Sequence, residues 1–244
     1  MSDVVLVTGG ASGIGAAVAT RFARAGANVV IADVSEEAGK ALAEDLAGLF
    51  VRTDVTSQQE NEAAVQAAVD TFGGLDVVHL NAGIGGPNAH GADFDLARYR
   101  RTLAVNLDGP LFGIRAAWPV LRENGGAIVV TSSIAGLAPA YFDPVYSATK
   151  HAVIGLVRSF AMAWAESAVT INAVCPGFIA TPLIAEALDA VREQGFAVAD
   201  PDVVAQAVES IVAGGQTGNA WIAQQGREPE LAGFHPVTLS KLTG

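Results

Sequence analysis

Tyr146 and Lys150 stand four residues apart in the run Tyr146-Ser147-Ala148-Thr149-Lys150, a spacing that puts both side chains on one face of a helix. The chain holds only three tyrosines and three lysines, so the pairing is less easily accidental than in an ordinary composition, although a surface helix pair has the same spacing. The chemistry on offer is proton transfer. A phenol titrates near a pKa of about 10 and is a poor base at neutrality. A fixed ammonium nearby lowers such a pKa by roughly 1–3, and Lys150 is expected to do this for Tyr146. Thirteen residues before Tyr146, the apolar run Val129-Val130-Thr131 ends in Ser132-Ser133. The Ser133 hydroxyl could hold a substrate oxygen while Tyr146 exchanges its proton, with Ser132 as the competing candidate.

A second constellation points to a phosphate-bearing ligand. Thr8-Gly9-Gly10-Ala11-Ser12-Gly13-Ile14-Gly15 leaves a short apolar run and opens the amphipathic stretch Ala16–Ala25. Gly9 permits a tight turn, Gly13 lets the backbone approach a pyrophosphate, and Gly15 lets the helix pack close to the strands. Ser12 and Ile14 complete the candidate cradle, at the positive end of the helix. Asp33 follows about 20 residues on, where a carboxylate can accept both hydroxyls of an adenosine ribose. It would repel a 2′-phosphate, and neither Ser12 nor Val34 offers a charge to bind one, so NAD(H) is expected rather than NADP(H). No Gly-Lys-Ser/Thr follows the loop, which excludes a P-loop nucleotidase.

These residues need a scaffold that brings strand ends together. Short apolar runs at Val4–Thr8, Asn28–Ala32, Leu49–Thr53, Asp76–Leu80, Ala127–Thr131, Thr170–Val174 and Ala220–Ala223 alternate with helical patterns. That order predicts an α/β, doubly wound Rossmann-type fold: about seven parallel strands in one sheet, helices on both faces, and residues 1–244 as one domain. Strand four ends in Asn81-Ala82-Gly83, whose small residues would let the backbone pack close to a cofactor. Helix limits are marked by Gly26 as a stop, Ser35 before Glu36-Glu37, a capping-box match at Ser57-Gln58-Gln59-Glu60, and Asp200-Pro201 as N-cap and first helical residue. Pro110 and Pro119 make the helix between Asn106 and Arg122 irregular. Helical signals broken by Gly195 suggest a lid over residues 182–199.

Composition narrows the function classes. With 51% hydrophobic and 16% charged residues the chain can bury a large core. A formal charge of −11 opposes a nucleic-acid partner, since phosphate contacts need clustered Lys and Arg. No apolar stretch approaches membrane-spanning length and no basic leader precedes Val4, so a soluble cytoplasmic protein with no membrane contact is expected. Cys175 is the single cysteine, and the four histidines show no ligand spacing, so no metal site is expected.

Taken together, the motifs resemble the short-chain dehydrogenase/reductase family over nearly the whole chain: Thr8–Gly15, Asp54-Val55, Asn81-Ala82-Gly83, Val105-Asn106-Leu107, Ser133, Tyr146 with Lys150, and Asn172-Ala173-Val174-Cys175-Pro176-Gly177 leading to Thr181. The resemblance implies that Asp54 accepts from the adenine amino group while Val55 packs on the ring. It also implies that Asn106 holds a water in a proton relay from Lys150. Pro176, Gly177, Ile179 and Thr181 would surround the nicotinamide, and Lys150 would also bond the nicotinamide ribose. The implied activity is hydride transfer between NAD(H) and an alcohol or ketone, in a homodimer or homotetramer. After Gly218 the chain departs from the family's usual glycine-rich closing segment, which bears on the tetramer.

The substrate side is expected from residues 85–90, 137–143 and 178–196. Leu137, Tyr141, Phe142, Phe178, Leu183, Ile184 and Leu188 favour an apolar secondary alcohol, with His90 and Arg192 as polar exceptions. Two other readings compete: an NADP-dependent carbonyl reductase, and a dinucleotide sensor without chemistry. A serine hydrolase has no Gly-x-Ser-x-Gly elbow to support it.

Overall fold

The computed structural model describes residues 3–87, 89 and 91–235. In chain order it comprises β1 (Val4–Thr8), α1 (Gly13–Arg24), β2 (Asn28–Asp33), α2 (Glu36–Asp45), β3 (Leu49–Arg52), α3 (Gln58–Phe72) and β4 (Val77–Leu80). There follow α4 (Leu96–Leu103), α5 (Gly109–Asn124), β5 (Gly126–Thr131), α6 (Pro144–Ala163), β6 (Val169–Pro176) and β7 (Phe178–Ile179). The chain then forms α7 (Leu188–Glu193), β8 (Val198–Ala199), α8 (Pro201–Gly214), β9 (Ala220–Ala223) and β10 (Glu230–Leu231).

The sheet runs β10-β9-β6-β5-β4-β1-β2-β3. All seven expected strands are present and parallel, and the sheet has an eighth: Glu230 and Leu231 pair antiparallel with Ile222 and Trp221. Two residues are too short a run to carry a periodic pattern, so this strand had no mark in the sequence. The direction of winding reverses between β1 and β4, where Val7 pairs with His79 and Thr8 with Leu80. Crevices at such a reversal, beyond the carboxyl ends of the strands, are where these sheets hold ligands.

Both faces are covered, which is why the strands read as continuous apolar runs. Leu6, Val78 and Ile128 pack beneath Ala64 of α3, Ile114 of α5 and Val153 of α6. Val5, Val7 and Val129 pack beneath Val18 of α1 and Val208 of α8. Local signals were mostly realised: Gly26 takes a positive φ after α1, Ser57 accepts from Glu60 N at 3.2 Å, and Asp200 accepts from Asp202 N at 2.9 Å. The capping box is only half made. The Glu60 carboxylate accepts from Asp54 N and Arg52 and does not reach back to Ser57. Before α5, residues Ala104–Asp108 form a π turn, so the irregularity expected from Pro110 begins just ahead of it. Segment 182–199 is a 3₁₀ turn, the short α7 and β8, with Gly195 at φ 82°.

Candidate active site

Gly9, Gly13 and Gly15 are glycines for steric reasons that differ from one to the next. A Cβ on Gly15 would run into the Gly9 carbonyl oxygen, one on Gly9 would lie 2.9 Å from Ala82 Cα, and one on Gly13 would lie 3.0 Å from Thr181 Cγ2. Gly9 and Gly13 also have φ of +62° and +52°, which L side chains avoid. The loop is therefore pressed against both Asn81-Ala82-Gly83 and the segment after β6. Ser12 is the N-cap of α1 and makes no side-chain cap bond, so its side chain leaves the first-turn N–H groups around Ile14 to an anion such as a pyrophosphate. Asn81 fastens the loop: its Nδ2 donates to the Gly9 carbonyl at 3.2 Å, its backbone N–H donates to Thr8 Oγ1 at 3.0 Å, and its Oδ1 accepts from Thr131 Oγ1 at 3.2 Å.

Asp33, at the end of β2, accepts Ala11 N at 3.0 Å and Ser35 N at 2.9 Å, one on each oxygen. A carboxylate so held keeps lone pairs for the hydroxyls of a ribose. Its register partner on β3 is Arg52, but that guanidinium is paired with Glu60 at 3.0 Å and Glu36 at 3.9 Å. Asp54 is engaged more fully than expected. Although burial opposes it, hydrogen bonds from Thr56 and the charge of Arg101 hold its carboxyl below the usual range, with Arg101 3.3 Å away. Val55 is buried and packs against Gly109, where a Cβ would come within 3.0 Å of Val55 Cγ2.

At the other end of the crevice the two serines part company. Ser132 Oγ is buried and donates to the Lys150 carbonyl at 2.8 Å, so it is a structural bond. Ser133 Oγ accepts from Ala135 N at 3.1 Å and lies near enough to the Tyr146 phenol to favour its ionisation. Lys150 Nζ lies 5.4 Å from the centre of the Tyr146 ring and donates to the Thr131 carbonyl at 2.8 Å. Gly83 lies against it, for a Cβ there would stand 3.4 Å from Nζ.

The electrostatics of this pair differ from the expectation. Burial pushes the Tyr146 phenol up to about 12 and the Lys150 ammonium down to about 8. Desolvation penalises both charged forms, and in the protein alone it outweighs any help the ammonium gives the phenolate. Cys175, on β6 behind them, is likewise pushed up to about 12 by burial.

Asn106 sits in the π turn, wholly buried. Its Oδ1 accepts Ile84 N and its Nδ2 donates to Ile84 O, both at 2.8 Å, with a further bond to Thr149 Oγ1 at 3.3 Å. These bonds tie its carboxamide to the loop after β4 and to the tyrosine helix. Pro176 ends β6, Gly177 N donates to the Ala223 carbonyl at 2.9 Å, and the Ile179 carbonyl accepts from Thr181 Oγ1 at 3.3 Å. Of these residues, Thr181 lies against Gly13.

Beside Ser133 lies a cavity of about 160 Å³ lined by Ile134, Phe178, Phe196, Ala197, Gln224 and Gln225. The Phe178 and Phe196 rings meet at 5.2 Å. The two glutamines were missed in the sequence, because nothing near them has catalytic spacing; they arrive through the pairing of β9 with β6. Tyr141 and Phe142 are exposed and stacked edge to face. Arg192 is a surface side chain paired with Asp189, and His90 lies outside the described residues. Among the described residues no three His, Cys, Asp or Glu side chains group as metal ligands would, and no helix is long and apolar enough to cross a membrane.

The family described as short chain dehydrogenase matches residues 3–192. A mitochondrial borneol dehydrogenase of Lavandula x intermedia is 40% identical over 182 residues, 74% of this chain and 70% of its own. A cis-4-hydroxycyclohexanecarboxylate dehydrogenase of Sinomonas cyclohexanicum is 42% identical over 218 residues, 84% of this chain and 87% of its own. Among solved structures, a 3-ketoacyl-(acyl-carrier-protein) reductase from Brucella melitensis complexed with NADH superposes with a TM-score of 0.85 at 28% identity, covering 92% of this chain and 98% of that one.

Proposed function

The chain belongs to the short-chain dehydrogenase family of nicotinamide-dependent oxidoreductases, and from that membership we propose that it is an NAD(H)-dependent dehydrogenase of a small, apolar, ring-borne secondary alcohol. The observation that carries this reading is the convergence of Ser133 and Tyr146 at the carboxyl end of the sheet, with Lys150 buried 5.4 Å from the Tyr146 ring centre. The crevice that would take the dinucleotide fits it sterically, since the three loop glycines leave no room for side chains where the backbone must stay close.

In this mechanism Gly9, Ser12, Gly13, Ile14 and Gly15 would hold the pyrophosphate, Asp33 the adenosine ribose, and Asp54 with Val55 the adenine side. Asn81, Ala82, Gly83, Pro176, Gly177, Ile179 and Thr181 would enclose the nicotinamide end. The bound dinucleotide supplies the hydride acceptor or donor. Ser133 Oγ holds the substrate oxygen, and the Tyr146 hydroxyl takes its proton during oxidation or gives one during reduction. For reduction Tyr146 is ready as it stands, being protonated up to about 12. For oxidation its phenolate needs positive charge beside it, and Lys150 within 5.4 Å of the ring centre is placed to give it. Asn106 and Thr131 set the position of this apparatus by the hydrogen bonds described above.

NAD over NADP follows from the Asp33 carboxylate at the ribose end, with Arg52 already neutralised by two glutamates. The ring-borne alcohol follows from the aromatic cavity beside Ser133 and from relatives named for borneol and 4-hydroxycyclohexanecarboxylate. Mixing the protein with cyclohexanol and other cyclic alcohols in the presence of NAD tests the reading directly. NADH absorbance is expected to grow, and far more slowly with NADP. No cofactor reduction by any secondary alcohol, and no oxidation by the matching ketones, would overturn it.

A further inference from the structure

Tyr146 is gripped through its backbone on both sides, and both grips lead to one loop. Its N–H donates to Asp143 Oδ1 at 2.9 Å. Its carbonyl accepts from Thr149 Oγ1 at 2.7 Å, and Thr149 in turn accepts from Asn106, which is bonded twice to Ile84. The second oxygen of Asp143 accepts Gly86 N at 2.7 Å, and the Gly86 carbonyl accepts from Arg98 Nε at 3.1 Å. So Asp143, on the entry to α6, ties the loop after β4 to the turn that carries the phenol.

That is more than a helix cap requires. Asp95 and Asp200 also cap helices, and they do so with bonds to residues within three positions along the chain. Asp143 does the same for α6 and spends its other oxygen on a residue 57 positions away. The fit is close on both sides: a Cβ on Gly86 would collide with Asp143 Oδ1, which explains a glycine there.

We propose that Asp143 is a positioning residue for Tyr146: one carboxylate that fastens the tyrosine's helix turn to the loop after β4 and sets a negative charge beside the phenol. The inference rests on the reading of Tyr146 as the proton-transferring group. The charge opposes ionisation of the phenol, and the Asp143 carboxylate does raise the Tyr146 pKa, after burial, while the Ser133 hydrogen bond lowers it. Among the described residues the other titratable groups facing the phenol are Lys150, one turn along α6, and Cys175 on β6. Arg98 approaches from α4, where its Nε donates to the Gly86 carbonyl. The loop and the phenol's proton affinity are thus coupled through one side chain.

The test is the pH dependence of kcat/KM for alcohol oxidation in the wild type, Asp143→Asn and Asp143→Glu. Asparagine keeps an oxygen for Tyr146 N but loses the charge and turns an N–H donor toward Gly86. The acid limb of the profile is expected to move down by about one pH unit in Asp143→Asn, as removal of a neighbouring charge allows, and to return toward the wild-type position in Asp143→Glu. A limb that stays in place in Asp143→Asn would overturn the proposal whatever happens to the rate, since a loosened helix end lowers kcat without moving it. If that variant fails to fold, Asp143→Ser, which caps through a hydroxyl, is read by the same criterion. Absence of turnover in the wild type would bring down the enzymatic reading and this inference with it, whereas a turning-over wild type with an unmoved limb would sink the inference alone.

Discussion

Lys150 Nζ donates to the backbone carbonyl of Thr131 at 2.8 Å, while the Thr131 hydroxyl donates to Asn81 Oδ1 at 3.2 Å. One strand-end residue therefore joins the buried ammonium to the side chain that fastens the glycine loop. The direction of the chain is fixed. Because the Thr131 proton goes to Asn81, its oxygen accepts from His79 Nε2, 2.8 Å away, which makes that nitrogen the protonated one and leaves His79 Nδ1 a buried acceptor without a donor.

Thr131→Val should break this chain while leaving the backbone carbonyl for Lys150. Two buried polar groups would lose their partner, at a cost of about 1–3 kcal/mol each. The expected outcome is a lower melting temperature and several-fold weaker NADH binding, read by fluorescence titration. Unchanged affinity would mean that Asn81 holds the loop without help from Thr131.

His79 should make the protein acid-sensitive. Burial lowers its pKa from 6.5 to about 3, so between those values the unfolded chain binds a proton that the folded chain refuses. The stability it allows is fully present above 6.5 and declines as pH falls toward about 3. His79→Val, an apolar replacement between Val7 and Val129 in the sheet, should unfold in urea with a shallower decline over that range. Parallel declines in the two proteins would contradict the assignment.

Asp33→Ala should relax cofactor choice. A hydrogen bond to a charged group contributes about 1.5–3 kcal/mol, so NAD affinity should fall by about tenfold to a hundredfold. NADP affinity should hold or rise as the repulsion disappears. Comparing both dissociation constants in wild type and variant checks this, and an unchanged NAD to NADP ratio would count against the ribose contact.

Much of this was readable before any coordinates. The glycine loop, Asp33, Ser133, Tyr146 and Lys150 carry chemistry in their types and order, and continuous apolar runs placed seven strands. What stayed hidden depends on contacts between distant segments. Asp143-Pro144, which starts α6 in the same form as Asp200-Pro201, was not read as a helix start, and nothing local could show that its carboxylate also holds Gly86, 57 residues away. Gln224 and Gln225 reach the cavity only because β9 lies beside β6. The Tyr146 proton affinity was misjudged for a related reason: spacing reveals the neighbouring lysine, whereas burial, the larger effect here, is a property of the folded whole.

The central claim is that the Tyr146 hydroxyl moves the proton. Tyr146→Phe removes one oxygen and keeps the ring, so a single comparison of cyclic-alcohol oxidation and NADH binding in wild type and variant tests it. Turnover should fall below detection while NADH binds almost as in the wild type; substantial remaining turnover in the phenylalanine variant would contradict the account.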